Sequence, residues 1–393
     1  MSTEPPVLTW LEAGHNPQAP WQSERGAQPP TRVVLADDTL PADTAYRLAC
    51  EGTGLLWRGD FQNARHLLQA LARRADKPPR RKPSVAASAP TPDPAAAFHL
   101  HRRAQAQRAR VLSQVLIELQ ADRSIALRRA PDVRAACAQA WGLPNGQGCV
   151  LSLRELLGLV SAFEWRKKGV PVAALGAAPH HRIHPHYGVF SPVRGEYVDL
   201  VAQAPLPASA LDLAYDIGTG TGVLAAVLAR RGVARVLATD NDPRALACAA
   251  DNIQRLGLQS QVQLQAADLF PGGADPRAGL VVCNPPWLPA RAGSAIERAV
   301  YDEDSRMLRG FLMGLAAHLL PQGQGWLIMS DLAEHLGLRS RATLLGWIAD
   351  AGLRVLGRID TRPQHPKAAD ETDALHAARA AEVTSLWRLG APT

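Results

Sequence analysis

The feature that most limits the fold is an alternation of short apolar runs with helical patterns, which begins near residue 185. The runs LDLAYDIG, ARVLATD, VQLQAAD and GLVVCNPPW are separated by stretches such as DPRALACAADNIQRLG. Strands and helices that alternate in this way form βαβ units on a parallel sheet. GQGWLIMSDL adds a fifth strand, and LRVLGRID and EVTSLWRL predict a C-terminal antiparallel hairpin. The sequence therefore predicts an α/β domain over residues 176–393, with a seven-stranded, mostly parallel Rossmann-like sheet.

The first 175 residues show mainly helical patterns. In DFQNARHLLQALARR, apolar positions recur at helical spacing behind a capping Asp60. Further along, Leu112, Val115, Leu116 and Leu119 share one helical face. A stretch rich in Pro, Ala and Ser, at about 77–97, cannot bury much surface. We expect a smaller, mainly helical region over residues 1–175, interrupted by a flexible insert. This region is expected to select the substrate.

Positive charge is concentrated in this first region. The chain has a formal net charge of +7, and residues 58–110 contain twelve Lys or Arg against three Asp, which is +9 and leaves −2 for the remainder. Such a segment can attract an acidic partner or a nucleic acid, or it can be a solvated linker. Both interpretations stay open, and the scarcity of aromatic residues here gives no sign of a base-stacking surface.

Cysteine usage and hydropathy indicate the compartment. The five cysteines are scattered and include no C-x-x-C pair, which argues against a disulfide framework and a zinc site. No apolar run approaches the roughly 18 residues that cross a bilayer, and the N-terminal residues do not resemble a signal peptide. We expect a cytoplasmic protein without membrane contact. HHRIHPH lacks carboxylate or thiol partners at ligand spacing, so we expect a solvated loop and no metal.

Three glycines follow the first predicted strand of the α/β domain. Gly218, Gly220 and Gly222 lie between Asp216 and a helix that begins near Val223. Closely spaced glycines permit a tight turn and the close approach of a ligand to the backbone. The dinucleotide fingerprint has its third glycine one place later, which counts against a nicotinamide cofactor.

Carboxylates end three successive predicted strands. Asp216 ends the first, Asp240 ends the second near the offset at which a carboxylate binds ribose hydroxyls, and Asp268 follows the third. An aspartate at a helix N-cap or turn gives the same local pattern. Three in register favour a nucleotide-like ligand.

The fourth strand ends in a stiff turn. In VVCNPPWLPA, two prolines fix φ and prevent a helix from starting, so Asn284 and Trp287 are held where an open α/β sheet presents its ligands. An incidental turn with a core Trp is the alternative.

DIGTGTG, ATDNDPRAL, AADLF and CNPPW, in this order and spacing, resemble the class I S-adenosylmethionine-dependent methyltransferases with an N-P-P-aromatic motif. That group includes release-factor glutamine methyltransferases, small-domain ribosomal RNA guanine methyltransferases and adenine amino-methyltransferases. The resemblance covers about residues 185–390. It implies that Asp216 and the backbone of the glycine loop bind the methionine end of the cofactor, Asp240 the ribose, and Asp268 the adenine. The implied cofactor residues are Asp216, Gly218, Thr219, Gly220, Gly222, Asp240, Asn241, Asp268 and Leu269.

The same resemblance gives the turn a chemical role. A planar NH₂ nitrogen is a poor nucleophile, so the protein must orient and polarise it. The Asn284 side-chain oxygen and the Pro285 carbonyl can each accept one N–H, Pro286 stiffens the turn, and Trp287 can stack on a flat acceptor. No general base is required.

HYGVFSPVRGEY resembles the segment that folds over the active site in the glutamine and small-domain enzymes. It makes Phe190, Pro192 and Arg194 pocket candidates. The glutamine enzymes usually have an Arg-Pro-Glu order here and a Tyr where this chain has Trp287.

These observations predict an N-methyltransferase acting on a macromolecule. Protein glutamine, as in a translation factor, is slightly favoured because a helical region before a single N-P-P-aromatic domain is the arrangement of that subgroup. An rRNA or DNA base amine is the alternative acceptor. A nicotinamide-dependent oxidoreductase and a non-catalytic cofactor-binding protein are more distant alternatives.

Overall fold

The computed structural model describes residues 5–77, 93–193, 195–272, 275–294, 296–363 and 370–392. The chain divides into two units, one comprising Met1–Pro92 and His99–Glu164, the other Asp93–Phe98 and Trp165–Thr393. Up to the end of the first unit, the elements are β1 (Val7–Thr9), β2 (Gln18–Pro20), β3 (Arg32–Ala36), α1 (Ala42–Cys50), β4 (Thr53–Trp57), α2 (Phe61–Ala75), α3 (Pro94–Leu112), β5 (Val115–Leu119), α4 (Arg134–Trp141), β6 (Cys149–Ser152) and α5 (Leu153–Lys168).

Beside its helices, the first unit contains a four-stranded sheet in the order β3-β4-β5-β6, which the sequence pattern did not predict. β3, β4 and β5 are parallel, and β6 is antiparallel to β5. The predicted helical face through residues 112–119 is divided: α3 ends at Leu112 and β5 begins at Val115. A short run buried on both faces has no period that separates strand from helix.

The start of α2 follows the predicted cap. The Asp60 carboxylate accepts a hydrogen bond from the backbone N–H of Gln62 at 2.9 Å, which satisfies one of the free N–H groups at the helix N-terminus. Residues 78–92 of the expected insert lie outside the described residues, and α3 begins at Pro94.

The second unit continues with β7 (Val170–Pro171), β8 (Arg182–Ile183), α6 (Glu196–Gln203), β9 (Leu213–Ile217), α7 (Val223–Arg230), β10 (Arg235–Asp240), α8 (Pro243–Arg255), β11 (Val262–Ala266), β12 (Ala278–Cys283), α9 (Arg306–His318), β13 (Leu319–Ser330), α10 (Leu332–His335), α11 (Arg341–Asp350), β14 (Arg354–Thr361), α12 (His376–Ala381) and β15 (Thr384–Gly390). Its seven-stranded sheet has the order β11-β10-β9-β12-β13-β15-β14. Of these strands, β15 alone runs opposite to the others and pairs antiparallel with β13 and β14, which confirms the predicted mostly parallel sheet and C-terminal hairpin.

Helices cover both faces of this sheet. Along β9 the side chains alternate: Ala214 belongs to the apolar cluster that includes residues of α7 and α8, whereas Tyr215 and Ile217 belong to the cluster that includes residues of α9 and α11. Because both faces are covered, the carboxyl ends of the strands are the place where such a sheet presents a binding crevice.

Candidate active site

The register of β9 and β12 brings the glycine loop and the proline turn side by side. Cys283 pairs with Ile217 across these parallel strands, so the residues that follow them, Asn284 and Gly218, leave the same edge of the sheet. Strand order also reverses here, because β10 lies on one side of β9 and β12 on the other. In open α/β sheets this switch point is where ligands bind.

Asp216 is buried within this edge, with 1% of its surface exposed. Its Oδ2 accepts hydrogen bonds from the Thr219 hydroxyl at 2.7 Å and from the backbone N–H of Ala225 at 3.0 Å. Burial disfavours the carboxylate and raises the pKa of Asp216 to about 6, although both hydrogen bonds act in the opposite direction. A buried, acidic acceptor is suited to a cationic or hydroxyl donor.

The glycine loop adopts left-handed backbone angles, with φ of 72° at Gly218 and 80° at Gly222. These angles favour glycine, and a Cβ at Gly218 would lie only 2.4 Å from Met307 Cε. The Thr239 carbonyl accepts from the N–H groups of both Gly218 and Thr219 at 2.9 Å. Because those donors are engaged, the backbone would offer a ligand its carbonyl oxygens.

Asp240 lies at the end of β10 and holds the same loop from the neighbouring strand. Its carboxylate accepts from the backbone N–H of Gly220 at 3.0 Å and of Asp242 at 2.9 Å. Burial raises the pKa of Asp240, and these backbone hydrogen bonds oppose that shift. Asn241, the other candidate here, is exposed.

Asp268 is exposed and ion-paired with Arg306, whose Nη2 lies 2.6 Å from Asp268 Oδ2. The following residue, Leu269, has φ of 77°, and its carbonyl accepts from the Thr239 hydroxyl at 2.5 Å. Binding of adenine by Asp268 would therefore compete with, or share, the Arg306 ion pair.

In the proline turn, residues 284–287, the Trp287 side chain holds the side-chain amide of Asn284. The indole Nε1–H of Trp287 donates to Asn284 Oδ1 at 3.0 Å, and both side chains are half-buried. Pro285 is buried and Pro286 half-buried. The Trp287 ring packs against the apolar clusters on both faces of the sheet, so the turn is anchored by packing as well as by proline.

The histidine segment HHRIHPH, residues 180–186, which precedes the glycine loop, is held against α8. His184 donates its backbone N–H to Asn252 Oδ1 at 2.7 Å, and His186 Nε2 lies 3.2 Å from Asp251 Oδ2. The expectation of a solvated loop is therefore wrong for these two histidines. Of the pocket candidates, Phe190 is exposed and Pro192 is buried, while Arg194 lies outside the described residues.

Sequence reasoning missed Asn252, which joins this segment to the glycine loop. Its side-chain Nδ2 donates to the Thr221 carbonyl at 3.0 Å while its Oδ1 holds the histidine segment, and the residue has no exposed surface. An Asn in a helix interior is unfavourable unless its side chain has tertiary partners. Its position within α8 was the available signal.

Comparison with known families agrees with this geometry. Residues 180–335 match the family model described as "Methyltransferase small domain", a range that contains the glycine loop, all three aspartates and the proline turn. Residues 180–335 thus form a methyltransferase small domain of the class I S-adenosylmethionine-dependent kind. This domain carries the N-P-P-aromatic motif as residues 284–287.

Curated relatives match only part of this chain. A release factor glutamine methyltransferase of Cereibacter sphaeroides is 32% identical over 162 residues, which is 37% of this chain and 55% of that enzyme. A tRNA1(Val) (adenine(37)-N6)-methyltransferase of Vibrio vulnificus is 29% identical over 154 residues, covering 38% of this chain and 62% of that enzyme. The chain thus spans about half the length of the first of these relatives. A solved methyltransferase of Pyrococcus furiosus shares 19% identity and a TM-score of 0.39, over 59% of this chain and 98% of that one.

The donor set fits S-adenosylmethionine, the cofactor of this methyltransferase family. Asp216 lies one residue before the end of β9 and Asp240 ends the neighbouring β10, and both supply carboxylate oxygens, which suit ammonium and hydroxyl donors. In the part of the chain that the structure describes, no group of three or more His, Cys, Asp or Glu could hold a metal ion. No helix within the described ranges is long and apolar enough to span a bilayer.

Proposed function

We propose that this chain transfers the methyl group of S-adenosylmethionine to the nitrogen of a planar amide or exocyclic amine in a macromolecule, with protein glutamine as the favoured acceptor. The observation that carries the proposal is the register of β9 and β12. Because Ile217 pairs with Cys283, the residues that follow them, Gly218 and Asn284, leave the sheet side by side at the switch point. The glycine loop, which would hold the cofactor, and the Asn284 side chain, which would hold the methyl acceptor, therefore border the same crevice.

Asn284 would orient the acceptor. When bound, S-adenosylmethionine supplies a methyl group on a positively charged sulfur, which is open to attack by a nitrogen lone pair. The Asn284 oxygen has two lone pairs, of which Trp287 engages one. The other can accept an N–H of the acceptor, and the Pro285 carbonyl a second, so that the nitrogen lone pair is turned towards the methyl group.

The acceptor class is inferred from relatives and composition. The release factor glutamine methyltransferase of Cereibacter sphaeroides supports a protein glutamine, whereas the Vibrio vulnificus enzyme, named for a tRNA adenine, supports a nucleic-acid amine. The basic segment of residues 58–110 is compatible with docking on an acidic or nucleic-acid partner.

Transfer of tritium-labelled methyl into cell extract tests the proposal. Wild-type protein with labelled S-adenosylmethionine should label a macromolecular fraction that protease releases and nuclease does not, and the Asn284→Ala variant should label it far more slowly. Nuclease-sensitive label would replace glutamine with a base amine. Absence of label in every polymer, despite calorimetric binding of S-adenosylmethionine, would refute the methyl-transfer proposal.

A further inference from the structure

A buried arginine lies behind the proline turn, outside every motif of the sequence analysis. Arg339 follows α10 and is 8% exposed, and its backbone N–H donates to the Ala333 carbonyl at 3.2 Å. Burial lowers its pKa, while the charges of Glu334 and Asp302 act in the opposite direction. A guanidinium stays protonated even so, and a buried charge is costly unless its N–H groups are well used.

The Arg339 guanidinium joins two segments that are distant in sequence. Nη2 donates to the backbone carbonyl of Trp287 at 3.2 Å, and Nη1 donates to the Ser305 hydroxyl at 3.3 Å. Among the described residues, no carboxylate forms an ion pair with Arg339 within 4.0 Å. The guanidinium therefore serves as a bridge between neutral oxygens instead of as half of a salt bridge.

The Ser305 end of this bridge marks the start of α9. Ser305 is buried and has φ of 53°, a left-handed angle that turns the chain into the helix. The Asp302 carboxylate accepts from the backbone N–H groups of Met307 at 3.0 Å and Leu308 at 3.1 Å, which caps the same helix. The first turn of α9 is thus held at a defined place.

That first turn contacts the cofactor loop. Met307 Cε lies so close to Gly218 that a Cβ there would approach it to 2.4 Å. At its other end the bridge holds the carbonyl of Trp287, whose indole fixes the Asn284 amide. Direct contacts therefore connect the Asn284 side chain, through Trp287 and Arg339, to the start of α9 and from there to the glycine loop.

We infer that Arg339 is a positioning residue for methyl transfer, which holds the acceptor turn at a fixed distance from the cofactor loop. The inference rests on the proposed function, because it assigns the two ends of the bridge to acceptor and cofactor. Transfer between two bound groups is sensitive to displacements of about 1 Å. The rigid fork of a guanidinium can fix two oxygens in a way that a lysine ammonium cannot.

The test is Arg339→Lys in the full chain, with Arg341→Lys as matched control. Arg341 lies two residues further on, and its Nε donates to Glu334 Oε1 at 2.6 Å. Among the described residues, Arg341 has no hydrogen bond to the proline turn. At saturating S-adenosylmethionine, Arg339→Lys should lower the initial rate of methyl transfer into extract about 10-fold to 100-fold, while the cofactor Kd changes less than about threefold. The control should stay within about twofold of wild type on both readings.

The outcomes separate the inference from the proposed function. If wild type labels no polymer, the proposed function fails and the inference fails with it. If wild type labels a polymer and Arg339→Lys labels it at the wild-type rate, the inference alone is overturned. An equal loss of rate and cofactor affinity also overturns it, since that is the mark of general unfolding. Should Arg339→Lys not fold, Ser305→Ala removes the other anchor, and a wild-type rate in that variant would likewise refute the bridge.

Discussion

The indole N–H of Trp287 donates to Asn284 Oδ1 at 3.0 Å. An indole nitrogen can only donate, so this bond fixes which side of the amide carries oxygen. Trp287 thereby acts on the acceptor site through Asn284, in addition to any stacking on the substrate. The glutamine enzymes that the sequence resembles usually have Tyr where this chain has Trp287, and here the donor is an indole N–H.

Trp287→Phe keeps a flat ring and removes the donor. We expect the rate of methyl transfer to fall about 10-fold, because the amide loses the hydrogen bond that orients it, with little change in apparent acceptor affinity if stacking persists. Initial rates across acceptor concentrations measure this. Trp347→Phe, in α11, is the control. A Trp287→Phe enzyme with wild-type rate would show that the indole N–H has no orienting role.

Asn284→Ala removes the side-chain amide that would orient the methyl acceptor. We expect a rate loss of about 100-fold or more with cofactor affinity nearly unchanged, because Asn284 is assigned to the acceptor nitrogen and to no atom of the cofactor. Asn284→Asp retains side-chain oxygens and should keep part of the rate. Calorimetry for S-adenosylmethionine, beside tritium transfer, separates the two quantities. Equal losses in rate and affinity would contradict the assignment.

Asp240→Asn should have the opposite profile. Loss of the charge-assisted hydrogen bonds to ribose should weaken S-adenosylmethionine binding by about 1–3 kcal/mol. Asp242→Asn is the control, because Asp242 caps α8 by accepting from Arg244 N–H at 2.9 Å and Asn caps helices equally well. Isothermal titration of both variants decides the matter, and unchanged affinity in Asp240→Asn would remove Asp240 from the cofactor site.

The sequence predicted the parts of the site that lie at strand ends. Asp216 and Asp240 lie at the carboxyl ends of buried strands and Asn284 directly follows one, and the topology of a parallel sheet brings such residues to one edge. Arg339 could not be predicted in this way. It contacts residues 52 and 34 positions away, and its surroundings in the sequence, LGLRSR, carry no pattern that distinguishes a buried arginine from an exposed one.

The first unit shows where apolar patterns fail. β4 and β5 are buried on both faces, so their five-residue runs lack the alternation that marks a strand exposed on one side. α3 runs up to within three residues of β5, which extended the apparent helical pattern into the strand. Strand pairing across the unit, which the local pattern does not contain, decides between the two structures.

Asp216 predicts a distinct pH dependence of stability. Its pKa in the folded protein is raised to about 6 by burial, above the roughly 3.9 of an unfolded chain, so the folded state binds this proton more tightly. Stability from this group is therefore present below pH 4 and is lost as the pH rises from about 4 to 6. Complete ionisation would cost up to about 3 kcal/mol.

Asp216→Asn removes this titration while leaving an oxygen to accept from Thr219 and Ala225. We expect the melting temperature of the variant, relative to wild type, to rise between pH 4 and pH 7 by roughly 6–12 °C at most, because only wild type must ionise a buried carboxyl. Calorimetric scans of both proteins at several pH values in this range measure the difference. A difference that stays constant across the range, or that shrinks towards pH 7, would show that the Asp216 carboxyl is not held protonated by its burial.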